Sequence, residues 1–109
     1  MTASLLAAAV AVGVAGGATG HDEAARPGDL RVTVHDFAFA PAVIEAEAGG
    51  IALFIENADA TAHDFTIDGM VSVDVPGRRS RRATFALEPG TYSFRCTLHP
   101  SMTGTIAAR

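Results

Sequence analysis

Residues 92–104 read YSFRCTLHPSMTG, and the chemistry of this stretch decides how the rest of the chain is interpreted. Cys96, His99 and Met102 follow one another at three-residue intervals, and Cys96 is the only cysteine among 109 residues. Because the chain holds only four histidines and three methionines, a chance coincidence of both spacings is rare. The three side chains are therefore candidate ligands of one metal ion.

A second imidazole for the same site comes from His63, which begins another predicted strand. Two imidazoles, one thiolate and a weakly bound thioether form the trigonal site of electron-transfer copper. Thiolate and thioether favour Cu(I), whereas imidazole accepts Cu(II), so such a site rearranges little when an electron arrives. We therefore predict one copper ion, alternating between Cu(I) and Cu(II), with four ligands: His63, Cys96, His99 and Met102.

The candidate ligands also have plainer interpretations. A single buried cysteine usually behaves as a small apolar residue, and Met102 could belong to the core. Met70 is the rival methionine, and we predict that it is a core residue. His35 lies within an alternating strand pattern, which predicts a surface position.

Short strands separated by turn residues account for most of the chain, and no stretch shows a helical period of useful length. Residues 51–55 are continuously apolar, which predicts a strand that is buried on both sides. Seven or eight strands at turn spacings of about ten residues predict an all-β fold, either an antiparallel sandwich or a barrel. The predicted strands cover residues 30–37, 43–47, 51–55, 63–67, 70–75, 82–87, 91–96 and 104–107.

These residues resemble a known family. Residues 92–104 are similar to the closing strand and ligand loop of cupredoxins, the type 1 blue copper proteins. The short ligand spacing is that of amicyanin and pseudoazurin, whereas the spacing in plastocyanin is longer. The first-histidine region of the family resembles four upstream stretches: 39–41, 48–50, 56–57 and 63–65. The likeness covers about residues 30–109, and it implies a Greek-key sandwich of two sheets with copper at one end.

The resemblance also implies the ligand set, position by position: His63, Cys96, His99 and Met102. Cupredoxins usually have asparagine after the first histidine, and this chain has Asp64 instead. In the family, the asparagine side chain ties the two ligand loops together by hydrogen bonds. Aspartate accepts such bonds but cannot donate them unless it is protonated.

The N-terminus resembles a secretory signal. An apolar run at 5–14 precedes a zone of small residues at 15–20, although no lysine or arginine comes before Arg26. The apolar run is too short and too rich in glycine for a good membrane span. We therefore expect export to the periplasm or the cell exterior, with an uncleaved membrane anchor or a disordered tail as the alternatives.

The chain thus has three predicted parts. Residues 1–20 are the predicted signal peptide, 21–29 a linker and 30–109 a cupredoxin copper-binding domain. Cleavage after Gly20 would make His21 the first residue, where the terminal amine and the imidazole could chelate copper together. A mobile tail without a metal is the alternative for His21.

The charged residues indicate which kinds of partner the protein can bind. Eight basic and twelve acidic residues give a formal net charge of −4, which argues against nucleic-acid binding. Four arginines nevertheless cluster at the head of the strand predicted over 82–87: Arg78, Arg79, Arg81 and Arg82. This cluster predicts a docking patch for an acidic redox protein near the copper end, with a solvated loop as the alternative. The chain itself is expected to be monomeric.

Three functions are compatible with a single copper site. A soluble electron carrier needs a closed site that holds copper through redox cycles, and four ligands including a thiolate provide one. A copper trafficking or storage protein would need a more open or methionine-rich site. A copper enzyme would need an open coordination position or a second metal centre, and the sequence shows no ligands for one. We therefore predict an electron carrier that is not an enzyme, with trafficking or storage as the alternative.

Overall fold

A computed structural model describes residues 22–109, which form nine β-strands in two sheets. The described residues contain no α-helix, so the all-β prediction is confirmed, and none of them forms a helix that could span a membrane. The predicted signal peptide at 1–20 and His21 lie outside the described residues. The strands are β1 (Leu30–His35), β2 (Ala38–Ala40), β3 (Val43–Ala46), β4 (Gly49–Asn57), β5 (His63–Ile67), β6 (Val71–Val75), β7 (Ser80–Leu87), β8 (Gly90–Arg95) and β9 (Thr103–Ala108).

The two sheets form a sandwich with a shared apolar core. One sheet has the strand order β2-β1-β4-β7 and the other has the order β3-β9-β8-β5-β6. The pairs β1–β4 and β3–β9 run parallel, and the remaining pairs run antiparallel. The sequence predicts an antiparallel sandwich or barrel, and the two parallel pairs differ from this prediction. The reason is that alternation shows which face of a strand is buried but does not show the direction of the strand.

The ninth strand comes from a tight hairpin. The sequence pattern predicts one strand over 30–37, whereas the chain turns at Asp36 and Phe37 and returns as β2. Both turn residues have positive φ, 52° and 60°, as a two-residue type I′ turn requires. Asparagine and glycine are the usual residues in such turns, so the pair found here gives no hairpin signal in the sequence.

Aromatic rings fill the core near one end of the sandwich. Phe65 and Phe94 stack with centroids 4.5 Å apart, and Phe39 meets Phe94 edge-on at 5.0 Å. Such pairs contribute about 0.5–1.5 kcal/mol each beyond the burial of their area. All five residues of β5 are buried. The first residue of β5, His63, is therefore held in a densely packed part of the protein.

Residues 22–29, here called the N-terminal arm, lie along β7. The Glu23 N–H donates to the Ser80 carbonyl at 3.2 Å, and the Ser80 hydroxyl donates to the Glu23 carbonyl at 2.9 Å. Arg82 donates two hydrogen bonds to the Asp29 carboxylate, both at 2.8 Å, and the Asp29 side chain is only 1% exposed. Backbone and charged contacts thus fix the arm to the sandwich.

Replacement of Asp29 by asparagine should destabilise the protein at neutral pH but much less in acid. The Arg82 guanidinium, followed by the Arg26 N–H, lowers the pKa of the Asp29 carboxyl by hydrogen bonding. A carboxyl with a lowered folded-state pKa adds stability above its unfolded pKa of about 3.9, and this stability is lost as the pH falls through the folded-state pKa. Urea unfolding should therefore show a stability gap between the two proteins that closes below about pH 4.

The matched control for this prediction is Glu45→Gln. Glu45 pairs with Arg109 at 2.8 Å, but both side chains are mostly exposed, so the free energy of unfolding should hardly change. A gap for Asp29→Asn that stays constant from neutral to acid pH would contradict the contribution assigned to the ion pair.

Candidate metal centre

The predicted ligands come from one strand and one loop at the same end of the sandwich. His63 begins β5 and Cys96 follows β8 directly. His99 and Met102 lie in the loop that leads to β9. The Cys96 N–H donates to the Met102 carbonyl at 3.0 Å, and the Met102 N–H donates to the His99 carbonyl at 2.8 Å. These bonds close the loop on itself and hold its three candidate ligands at fixed positions.

Three of the side chains form a compact cluster. Cys96 Sγ lies 3.8 Å from His63 Nδ1 and 3.7 Å from His99 Nδ1, and the three ligand atoms lie within 4.8 Å of one another. Cys96 and His63 are buried, and His99 is half-buried. This spacing suits one ion bound by one sulfur and two nitrogens. Met102 belongs to the buried core cluster that includes Cys96, and its role as fourth ligand stays a prediction.

The other residues weighed as ligands lie elsewhere. Met70 is 50% exposed, so the prediction that it belongs to the core is wrong. The reason is local, because the Met70 N–H closes a turn onto the Ile67 carbonyl at 2.9 Å and places Met70 between β5 and β6. His35 lies on the surface, as predicted.

Asp59 orients His63 from the loop between β4 and β5. Its Oδ2 lies 2.9 Å from His63 Nε2, and its carboxylate also accepts the N–H groups of Asp36 at 2.8 Å and Phe37 at 2.9 Å. These three donors, the Phe37 N–H foremost, outweigh the effect of burial and lower the pKa of the Asp59 carboxyl. Because an ionised carboxylate only accepts, His63 donates through Nε2 and keeps the Nδ1 lone pair toward Cys96.

Asn57 and Gly77 fix the loop that carries Asp59. The buried Asn57 donates through Nδ2 to the Val75 carbonyl at 3.1 Å, and its Oδ1 accepts the Asp59 N–H at 2.9 Å. Gly77 approaches the loop so closely that a Cβ there would stand 1.9 Å from the Ala60 carbonyl oxygen. The position of Asp59 thus depends on the buried side-chain amide of Asn57 and on the lack of a side chain at Gly77.

Asp64 joins the strand of the first ligand to the loop of the others. Its carboxylate accepts the Thr97 N–H at 3.0 Å, the Thr97 hydroxyl at 2.6 Å and the Thr66 hydroxyl at 2.8 Å. Burial on its own would raise the pKa of the Asp64 carboxyl, but the donors of Thr97 and Thr66 outweigh burial and lower it. The Asp64 N–H also donates to Cys96 Sγ at 3.4 Å. The side chain therefore makes the expected tie by accepting hydrogen bonds.

Phe37 and Leu98 form an exposed apolar rim beside the cluster. The Phe37 ring meets the rings of His63 and His99 edge-on, with centroids 5.0 Å and 4.9 Å away. Phe37 is 47% exposed, and Leu98, which precedes His99, is 60% exposed. An exposed apolar ring thus contacts both candidate histidine ligands, of which His99 is the half-buried one.

The arginine cluster lies at the same end of the sandwich. The Arg78 N–H donates to the Asp59 carbonyl at 2.9 Å, which places this segment beside the loop of the metal centre. Arg82 is paired with Asp29 in the N-terminal arm, so part of the cluster's charge is neutralised within the chain. The docking role of the four residues stays a prediction: Arg78, Arg79, Arg81 and Arg82.

Three residues that shape the centre were not predicted from the sequence: Asp59, Phe37 and Thr97. Asp59 stands between the predicted strands 51–55 and 63–67, and its position four residues before a candidate histidine ligand was the available signal. Phe37 reaches the cluster through the β1–β2 hairpin, which the sequence does not indicate. Thr97 directly follows Cys96, and its role depends on the carboxylate of Asp64.

The fold and the cluster together define a class of protein. A two-sheet β-sandwich with a His–Cys–His cluster at one end is the architecture of cupredoxins. The sequence profile of the family described as "Cupredoxin-like domain" matches residues 5–108. The chain therefore belongs to the cupredoxin-like family, and the resemblance noted in the sequence is confirmed.

Solved structures with this fold include amicyanins. A reduced mutant of amicyanin superposes with a TM-score of 0.66 at 18% identity, covering 78% of this chain and 86% of that chain. A reduced Cu(I) form of another amicyanin mutant at pH 4 gives 0.65 at 21% identity, with the same two coverages. Amicyanin from Paracoccus versutus gives 0.66 at 17% identity, covering 78% and 85%. At these identities the likeness shows the fold alone. No curated protein matches this chain.

Proposed function

We propose that this protein is an exported blue copper protein that carries single electrons between redox proteins. The supporting observation is the closed cluster in which Cys96 Sγ lies 3.8 Å from His63 Nδ1 and 3.7 Å from His99 Nδ1. One thiolate and two imidazoles are the donor set of electron-transfer copper. The burial of Cys96 and His63 keeps most of this set away from water, as a site that must retain its metal requires.

The donor set fits copper in both oxidation states. The ion would be held by Nδ1 of both histidines, by the thiolate and, more weakly, by a thioether: His63, His99, Cys96 and Met102. Bound copper supplies a one-electron couple between Cu(II) and Cu(I), and a one-electron donor and a one-electron acceptor protein complete the exchange. Because four protein ligands leave no open position for a substrate, we assign no enzymatic activity.

The polypeptide contributes rigidity to this site. Asp59 fixes the tautomer and orientation of His63 through the 2.9 Å contact with Nε2. Asp64 links the same strand to the ligand loop through Thr97. Ligands held in this way move little when the charge of the site changes, which favours electron transfer. A trafficking or storage protein, the alternative, gains nothing from such restraint because it must release its copper.

The partner would approach the half-buried end of the site. The exposed Phe37 contacts the ring of His99, and the exposed Leu98 precedes it in the chain, so an apolar surface lies beside the half-buried ligand. Arginines beside the Asp59 loop, Arg78 among them, would steer an acidic partner toward this end. We place the protein in the periplasm or outside the cell on the basis of the predicted signal at 1–20.

The decisive experiment is the visible spectrum of the protein loaded with one equivalent of Cu(II). An electron carrier should absorb intensely in the red and lose this absorption reversibly on reduction. A trafficking or storage protein should absorb weakly and give its copper readily to a competing chelator. A colourless stoichiometric complex would therefore contradict the proposal.

Replacement of Met102 by leucine should preserve copper binding and raise the reduction potential. A thioether donates weakly to Cu(II), so its removal favours Cu(I). We expect a shift of at least roughly 60 mV, which is a tenfold change in a one-electron equilibrium. Voltammetry measures the shift, and Met70→Leu, at an exposed turn, is the control that should leave the potential unchanged. An unchanged or lower potential for Met102→Leu would show that Met102 is not a ligand of the copper ion.

A further inference from the structure

The carboxylate of Asp64 lies beside the sulfur of the metal centre. Asp64 is 3% exposed, and its Oδ2 lies 3.9 Å from Cys96 Sγ. The hydrogen bonds that its carboxylate accepts from Thr66 and Thr97 come from neutral hydroxyl and amide groups. Neutral donors stabilise a negative charge without cancelling it, so the charge acts on its surroundings.

We propose that Asp64 sets the reduction potential of the copper centre to a lower value by holding a negative charge next to Cys96. The inference rests on the proposed function, because it concerns the same site. The Cys96 thiol donates a hydrogen bond to Asp64 Oδ2 at 3.9 Å. Metal binding requires the thiolate form of cysteine, which has no proton to donate, so two negative charges would then lie next to each other. In a buried place such charges are weakly screened. The two negative charges stabilise Cu(II) more than Cu(I), since Cu(II) carries one more positive charge.

The position of the charge is fixed by the same hydrogen bonds that tie the loops together. The Thr97 hydroxyl holds Oδ2 at 2.6 Å, and the Thr66 hydroxyl holds Oδ1 at 2.8 Å. Both carboxylate oxygens are therefore restrained, and the group cannot turn away from the sulfur toward water. Asparagine, the residue expected here from the family resemblance, would keep the shape and supply no charge.

The test is voltammetry of Asp64→Asn. We expect a higher midpoint potential, with the equilibrium between reduced and oxidised protein shifted on the order of tenfold, about 59 mV for a one-electron couple. Asp74→Asn is the matched control, because Asp74 lies directly opposite Asp64 in the β5–β6 register but is exposed. Removing that charge should change the potential much less, since water and salt screen it.

A second neutral variant separates the loss of charge from the new N–H donor of asparagine. Asp64→Ser also removes the charge, so its potential should rise as well. The inference would be overturned if the midpoint potential rose in Asp64→Asn but not in Asp64→Ser, or if it rose no more than in Asp74→Asn.

Chelator competition gives a further check. A purely structural role predicts an equal loss of Cu(I) and Cu(II) affinity, and that result would also overturn the inference. If the unsubstituted protein lacks reversible red absorption, the proposed function fails too; if it has that absorption, only the inference is at stake.

Discussion

Replacement of Cys96 by serine should give a folded protein whose Cu(II) form has lost the intense absorption in the red. That absorption comes from charge transfer out of a thiolate, and a serine hydroxyl is neither ionised nor soft. Copper affinity should fall as well, by at least roughly 100-fold, because changes to mere outer partners of a ligand already cost 10–100-fold. Visible spectra and chelator competition measure the two effects.

The fold should survive this substitution, which makes the result interpretable. Serine is close to cysteine in size, and its Oγ can accept the Asp64 N–H that Cys96 Sγ accepts at 3.4 Å. Urea unfolding of the metal-free proteins checks this point. Ser101→Ala, at an exposed position of the same loop, is the matched control and should keep the colour. An intensely coloured Cys96→Ser protein would refute the assignment of the sulfur ligand.

Replacement of Gly77 by alanine should destabilise the protein by about 3 kcal/mol and weaken copper binding together. An added Cβ would stand 1.9 Å from the carbonyl oxygen of Ala60 and 2.5 Å from its carbonyl carbon. Both are backbone atoms, so the loop before β5 has to move. That loop carries Asp59, and a displaced Asp59 no longer fixes His63 through Nε2. The free energy of unfolding and the Cu(II) affinity measure the two losses.

Gly50→Ala is the matched control for this prediction. Nothing lies within 4 Å of the Cβ that it would add, and Gly50 does not adopt a positive φ. Its stability and copper affinity should stay close to those of the unsubstituted protein. If Gly77→Ala matches this control in both measurements, the close approach to Ala60 does not determine the loop position.

The candidate ligands could be predicted from the sequence because their signal is local. Cys96, His99 and Met102 stand within seven residues of chain, and their side-chain chemistry is specific to few metals. His63 required only the recognition that it begins a strand, as the structure confirms. The strand pattern was equally accessible, since buried and exposed residues alternate along most strands.

The supporting contacts could not be predicted because they depend on how distant strands are aligned. The carboxylate of Asp59 binds the N–H groups of Asp36 and Phe37 only because β1 and β4 pair in parallel with a fixed register. The turn at residues 36–37 contains no glycine or asparagine, so the sequence does not predict the hairpin. Asp64 was recognisable as a departure from the family, but its distance from Cys96 required the coordinates.

The N-terminal arm has a consequence for how this protein behaves beside other copies of itself. β7 is the outermost strand of its sheet, and such an edge exposes unpaired backbone N–H and C=O groups that can pair with an extended segment of another chain. Here the arm occupies that edge, because Asp22 and Glu23 side chains accept the backbone N–H groups of Ser80 and Arg82. Edge-to-edge association is thereby blocked along the first part of β7, at the end that carries the metal centre.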